Sequence, residues 1–323
     1  MKTFLLSITS LLALSFNAMA QETNYSFKES YKITTPAQLV ISSHDGNIEV
    51  LPSDKNSVEV YYIVKRNNEL LKIDRATLEK EVTLEVTSGA NILKIDIKYP
   101  KNRHFAIINN RPIANLKIYV PKQTACNLQT ADGNVSVTGL SSDQLIKTSD
   151  GNISVINIAG NVGGYTSDGN VMARAVKGDV DFKTSDGSIS LDDIVGDVLS
   201  YSSDGHLKAS KISGDILLKT SDGNIELSAI KGAVSASTSD GSIRGTVNEV
   251  KGEISLTTGD GNIDLTVPDL IGLNLDVEGS SIHTRLKNFS GSSQKRSIQG
   301  RLNGGGVPVK IKALNGNINL SYK

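Results

Sequence analysis

Beyond about residue 123, apolar and polar side chains alternate in short runs that recur at a fixed spacing. Ile153, Val171, Ile189, Leu207, Ile225 and Ile243 stand 18 residues apart, and Ile263 follows after 20. Two residues on lies a second apolar column, Val155, Ala173, Leu191, Ala209, Leu227 and Leu265, and then a third, Ile158, Val176, Ile194, Ile212 and Ile230. The second half of each unit carries Val162, Val180, Val198, Ile216, Val234 and Ile254, then Phe182, Leu218, Ala236 and Leu256. Alternation with period two marks a strand with one buried face. Recurrence at a fixed longer period marks a stacked repeat.

The strands are separated by turn signals. Asp-Gly occurs at 132, 150, 168, 186, 204, 222 and 240 in steps of 18, then at 260, and Glu278-Gly279 follows. Thr-Ser, Ser-Ser or Thr-Gly precedes seven of the first eight sites. A second glycine comes nine residues after the first, at Gly160, Gly178, Gly196, Gly214 and Gly232, and returns at Gly252. Each half-repeat is thus a turn followed by a short strand. Strands this short do not form a stable isolated sheet. Stacked coil on coil at ~4.8 Å, each pairs with its equivalent above and below.

The pattern predicts an all-β, single-chain parallel β-solenoid of 18-residue coils over residues 123–290. Glycine every nine residues opposes a helical repeat. A hexapeptide β-helix needs an aliphatic side chain every six residues. Val195 meets that need six residues beyond Ile189, but its equivalents are Lys177, Ser213 and Lys231.

Residues 21–122 are β-rich without the repeat. Strands are expected over Leu39–Val50, Val58–Lys65, Val82–Val86, Ile92–Ile97 and Leu116–Val120, with a short helix over Glu69–Lys80. This region is expected to cap one end of the solenoid, which otherwise leaves an unpaired edge. Within it, Asp45-Gly46 in SSHDGNIEV reads as an outlying copy of the repeat. Residues 291–323 hold Gly304-Gly305-Gly306 and a degenerate copy, ALNGNINLSY, expected to close the other end.

The first twenty residues read as a signal peptide: Lys2, an apolar run from Phe4 to Phe16, and Ala18-Met19-Ala20 before a mature start at Gln21. No later stretch approaches the ~18 apolar residues of a membrane span. The expected location is therefore periplasmic, outer-surface-associated or secreted. Formal net charge is zero, which predicts no attraction to nucleic acid. Aromatic residues are only 5% of a chain holding 29 glycines, which suits a thin aliphatic core crossed by tight turns. The single cysteine, Cys126, cannot form an internal disulfide and is expected to be a buried thiol.

The N-terminal β region, the strand ending Tyr119-Val120-Pro121, the TSDGNI turns and the closing GGG and LNGNINL together resemble the DUF4097 family, which carries an adhesin label. The resemblance covers nearly all of the chain after residue 20. It implies a parallel β-solenoid of the cell envelope, in some members linked to surface attachment or envelope stress. It supplies no catalytic residues.

Two features are candidate chemistry. Asp132, Asp150, Asp168, Asp186, Asp204, Asp222, Asp240 and Asp260 share one turn position. Carboxylates one strand spacing apart repel by about 1 kcal/mol in water and more in a lower dielectric. On a structural reading the turn offsets this: each Asp accepts a backbone N–H two residues on, the following Gly turns left-handed, and Ser149, Ser167, Ser185, Ser221 and Ser239 donate to the carboxylates. Asn134, Asn152, Asn170, Asn224 and Asn262 are expected to form amide ladders just after the turn. The alternative is a calcium ladder, since calcium-binding β-rolls also use 18-residue coils. Their double-glycine turn is missing here, and the second turn has Asp179, Asp197 and Asp215 but Asn161, Ala233 and Glu253 elsewhere. No cofactor other than calcium is implied.

The second feature is an outward face, with Tyr165, Lys183, Tyr201 and Lys219 in one column beside Leu199 and Leu217. Tyr and Lys at coil spacing suit a glycan or protein partner. Eight equivalent Asp residues mark a turn rather than one tuned acid–base pair, and His44, His104, His206 and His283 are scattered. The reading is a non-catalytic, exported, adhesin-like interaction scaffold for an envelope protein or glycan. A self-assembling envelope protein is the second candidate, and a carbohydrate-active β-helix enzyme the third.

Overall fold

The structure, a computed structural model, describes residues 24–100 and 111–323. The signal-peptide expectation lies outside those residues. The repeat forms the predicted parallel solenoid. Ile153–Ala159 pairs in parallel with Val171–Lys177, that strand with Ile189–Val195, and that with Leu207–Ser213, each shifted by 18 residues. Val162–Tyr165, Val180–Lys183, Val198–Tyr201 and Ile216–Lys219 form a second ladder in the same way. Every aliphatic column named above from the first halves is buried, as are Val162, Val180, Val198 and Ile216 in the second.

A third corner explains the third column. Ile153 and Val155 point inward, and strict alternation would send Asn157 inward next. Instead Asn157, Ala175, Asp193, Lys211 and Ala229 take left-handed backbones with φ of 54–60°. This shifts the alternation by one and turns Ile158, Val176, Ile194, Ile212 and Ile230 into the core. A left-handed non-glycine residue costs roughly 1–2 kcal/mol, against about 1.5–3 kcal/mol from burying an aliphatic side chain. Burial wins at each coil.

The glycine of the first turn acts differently from expectation. From Gly133 to Gly261 none of the Asp-Gly glycines is left-handed; only Gly46 is, at φ 102°. Their requirement is space. A Cβ on Gly187 would stand 1.8 Å from the carbonyl oxygen of Gly169, and one on Gly151 1.9 Å from that of Gly133. The turn backbones stack so closely that no side-chain atom fits between them.

At the ends, order in the stack departs from order in the chain. Ala37–Ser43 lies between Ile92–Lys98 and Thr124–Gln129, parallel to both. Ile48–Ser53 lies likewise between Ile113–Pro121 and Val135–Thr138. The expected single strand Leu39–Val50 is therefore two strands of one coil, folded at the Asp45-Gly46 turn. The C-terminal end repeats this arrangement. Val307–Ala313 sits between Ile243–Thr258 and Leu273–Glu278, and Asn317–Tyr322 between Ile263–Val267 and Ser281–Thr284. In both places the coil nearest the chain terminus is one layer inside the stack.

Antiparallel strands cover the outer layers. Ser57–Arg66 pairs with Ile113–Pro121 and Phe27–Lys32 with Ser57–Arg66, while Thr83–Ser88 covers Ile92–Lys98. Ser297–Leu302 and Phe289–Ser293 do this at the C-terminal end. The helix expected over Glu69–Lys80 is confined to Arg75–Leu78, capped by Asp74 accepting from the Thr77 N–H. Glu69–Leu70 instead closes a hairpin onto Lys65–Arg66 through left-handed Asn67 and Asn68. Paired asparagines suit such a tight turn. Cys126 is buried, and burial pushes its thiol well above the ordinary range, leaving it inert.

Candidate functional site

The first turn is held by the hydroxyl two residues before Asp. The Thr166 Oγ1 lies 3.0 Å from the Ser149 carbonyl and 2.9 Å from that of Gly151, and it accepts the Gly169 N–H at 3.2 Å. Thr148, Thr184, Ser202, Thr220 and Thr238 repeat this contact set. Each hydroxyl is buried and spans two coils. The serines next to Asp do not play the expected part; Ser167 meets the Tyr165 phenol at 3.1 Å. The asparagines form one amide-to-amide rung, Asn152 Nδ2 donating to Asn134 Oδ1 at 3.0 Å, and otherwise continue their ladder through the backbone. Asn152 Oδ1 accepts the Asn170 N–H at 2.8 Å, one coil up, and Asn170 Oδ1 accepts that of Ser188 at 2.9 Å.

Asp132, Asp150, Asp168, Asp186, Asp204, Asp222, Asp240 and Asp260 are all exposed at this corner. The stacked backbone sets their spacing: the Asp168 N–H donates to the Ser149 carbonyl and the Asp186 N–H to that of Ser167. The C-terminal member, Asp260, accepts from the Asn315 amide at 2.5 Å. At the N-terminal end the ladder runs into Asp45, which is 3% exposed. Ligand atoms of His44, Asp45 and Asp132 lie within 4.8 Å of one another. Asp45 contacts His44 Nδ1 at 2.8 Å and forms an ion pair with Arg111, whereas Asp132 has no ion pair among the described residues. Partial burial, then the Asp45 and Asp150 carboxylates, raise the Asp132 pKa.

The outward face of the second ladder is organised in columns. Tyr165, Lys183, Tyr201 and Lys219 are in register, and Lys147 extends the column on the N-terminal side. Lys and Tyr alternate, so like charges stand two coils apart and each lysine has a tyrosine in register on an adjacent coil. The Lys183 Nζ is 5.5 Å from the Tyr201 ring centroid. Leu199 and Leu217 lie in the neighbouring column, which reads Leu145, Gly163, Asp181, Leu199, Leu217 and Ser235. Leu217 is 37% exposed.

Beyond that column, toward the second turn, runs a groove of about 940 Å³ parallel to the solenoid axis. Gly163, Leu199 and Leu217 line it, and Asp179, Asp181, Asp197, Asp215 and Glu253 border it. The second-turn carboxylates are fixed in place. Asp179 Oδ1 accepts the Asp197 N–H at 2.9 Å, Asp197 Oδ1 the Asp215 N–H at 2.8 Å, and Asp215 Oδ1 the Ala233 N–H at 2.9 Å. Sequence reasoning placed Leu199 and Leu217 on this face and Asp179, Asp197 and Asp215 at the second turn, but did not bring the two columns together as one wall and floor. The signal was present: Asp179, Asp197 and Asp215 each stand two residues before a member of the leucine column, on the same side of the strand.

The face of the first ladder handles charge differently. Arg174 and Lys211 flank Asp192 at 3.7 and 3.4 Å, Lys208 meets Glu226 at 3.4 Å, and Arg244 meets Asp264 at 3.6 Å. Its charges are paired coil to coil, whereas those of the second face are sorted into an acidic side and a Lys-Tyr side.

The sequence matches the family model described as Toastrack DUF4097 over residues 37–321. That span opens at the first buried coil and ends within the last. No curated protein matches the chain. Three crystal structures are similar at low identity. A putative cell adhesion protein from Clostridium sporogenes is 13% identical, with 92% of this chain and 99% of that one covered and a TM-score of 0.21. A putative adhesin from Parabacteroides distasonis is 14% identical, covering 91% and 96%, with a TM-score of 0.31. A putative adhesin from Bacteroides fragilis is 13% identical, covering 92% and 96%, with a TM-score of 0.33. No helix among the described residues is long and apolar enough to cross a membrane.

Proposed function

The chain belongs to the Toastrack DUF4097 family, and from that premise we propose that it is a non-catalytic, exported, adhesin-like scaffold that engages an envelope partner along the outward face of its second ladder. The observation that carries this reading is the groove itself. It is shallow, has Leu217 exposed and Leu199 half-buried along it, and crosses several coils on a backbone held in place by coil-to-coil hydrogen bonds. Exposed aliphatic side chains in a groove bordered by polar groups suit a partner that covers them. The face is made of equivalent positions repeated coil after coil, an arrangement suited to an elongated ligand rather than to one reacting bond. Antiparallel strands over both ends of the stack weigh against end-to-end polymerisation.

The test is attachment by the native host. A strain carrying Leu199→Ser/Leu217→Ser, with the variant at unaltered level and melting temperature, should attach to a surface as poorly as a strain lacking the chain. Attachment equal to that of the unaltered strain overturns the reading.

A further inference from the structure

The groove's charge narrows what can lie in it. Of the carboxylates bordering it, Glu253 is neutralised by Lys310 at 2.8 Å. Asp179, Asp181, Asp197 and Asp215 have no ion pair among the described residues. No basic residue lines the groove. On the opposite face of the same solenoid, acids at coil spacing are paired with Arg or Lys from the adjacent coil. Three aspartates stacked ~4.8 Å apart beside an apolar surface repel one another, and desolvation by a neutral ligand would strengthen that repulsion. A cationic ligand removes it.

Resting on the interaction reading above, we infer that this groove takes an extended basic peptide segment whose Lys or Arg side chains face the Asp179–Asp197–Asp215 column and whose alternate apolar side chains cover Leu199 and Leu217. From Asn161 to Glu253 the groove crosses six coils, roughly 24 Å at one strand spacing per step. That length accommodates about seven residues of extended chain. Side chains of an extended segment point alternately to two sides, matching an acidic wall on one side and leucines on the other.

The chain supplies its own isosteric control. Asn161 already occupies the same turn position, and its Oδ1 accepts the Asp179 N–H at 2.9 Å, as Asp179 does for Asp197. Asp179→Asn/Asp197→Asn/Asp215→Asn therefore removes three charges and keeps the backbone ladder. The probe is a fluorescein-labelled octapeptide of alternating Lys and Val, followed by anisotropy with the mature chain. The unaltered chain should bind it at least tenfold more tightly than a Glu-Val octapeptide, with affinity falling as salt rises. The triple Asn variant should lose at least tenfold. Asp186→Asn/Asp204→Asn/Asp222→Asn, equal in charge but on the other corner, should bind as the unaltered chain does. Equal binding by the groove variant, equal loss in the corner variant, or equal affinity for the Glu-Val peptide overturns the inference. If chitohexaose binds and the Lys-Val peptide does not, the groove takes a neutral glycan: the basic-peptide assignment falls and the interaction reading stands. If neither binds and Leu199→Ser/Leu217→Ser leaves attachment intact, both fall.

Discussion

Single side chains in this solenoid are judged against their neighbours one coil above and below. The inward column Ile146, Gly164, Phe182, Ser200 and Leu218 shows how. Phe182 is fully buried, and a Cβ on Gly164 would stand 2.7 Å from its ring. A large side chain is admitted because small ones flank it. Phe182→Ala should cost about 3–5 kcal/mol, the usual range for emptying a buried aromatic site, read by urea denaturation. The Ser200 hydroxyl is buried without a partner. Ser200→Ala should therefore be neutral or stabilising by up to about 1 kcal/mol, because an unpaired buried polar group is removed. Thr220→Val should be strongly unfavourable despite its matched shape, since the Ser203 and Gly205 carbonyls and the Gly223 N–H all lose the Thr220 hydroxyl. Asp132 gives a pH signature. Its folded pKa is raised, so the folded state holds the proton more tightly and the ionised form is the destabilising one. Asp132→Asn should raise the melting temperature near neutral pH. The gain should disappear as pH falls through that raised pKa and the native carboxyl becomes neutral.

At the level of the element, the left-handed corner is where coil geometry and local preference disagree. Ala175 and Ala229 adopt φ of 55° because the core needs the next side chain inside. Glycine accepts that backbone without steric cost, though it loses more entropy on folding. Ala175→Gly should be neutral to stabilising by about 1 kcal/mol, unlike glycine elsewhere in a strand, and thermal melting checks it. The opposite holds at the Asp-Gly turn, where Gly187→Ala places a Cβ 1.8 Å from the Gly169 carbonyl oxygen and should force the coils apart. Two glycine positions nine residues apart look alike in sequence and are required for different reasons. Gly178 and Gly196 have φ near 150° as well as a close carbonyl, whereas Gly187 has only the close carbonyl.

For the whole molecule, the repeat is additive in the middle and locked at the ends. Deleting residues 189–206 removes one full coil and joins equivalent turn positions, so the shortened chain should fold and elute as a compact species. Deleting residues 307–323 removes a similar length but opens the stack. It takes out the layer between Ile263–Val267 and Ser281–Thr284, and it leaves Leu273–Glu278 with no parallel partner. That variant should aggregate or lose its β circular dichroism. If both deletions behave alike, the locked-end account is wrong.

The repeat was legible because an 18-residue period writes the same core positions again and again: Ile153, Ile189 and Ile225 declare their shared column without any three-dimensional information. The outward Tyr-Lys and leucine columns were legible for the same reason, since period two assigns the face. Sequence alone determined the strand class, the coil length, the inward and outward sides and the turn positions, because each depends on contacts that recur at one spacing. Tertiary structure decided what depends on contacts between unlike segments. It placed Ala37–Ser53 and Val307–Tyr322 inside the stack, because a strand edge pairs with whichever neighbour completes its hydrogen bonds, whatever the distance along the chain. It also made the first-turn glycines a matter of crowding rather than handedness, and brought the Asp179 column beside Leu199 to form a groove. Clearance between stacked backbones and concavity of a surface exist only once the coils are in contact.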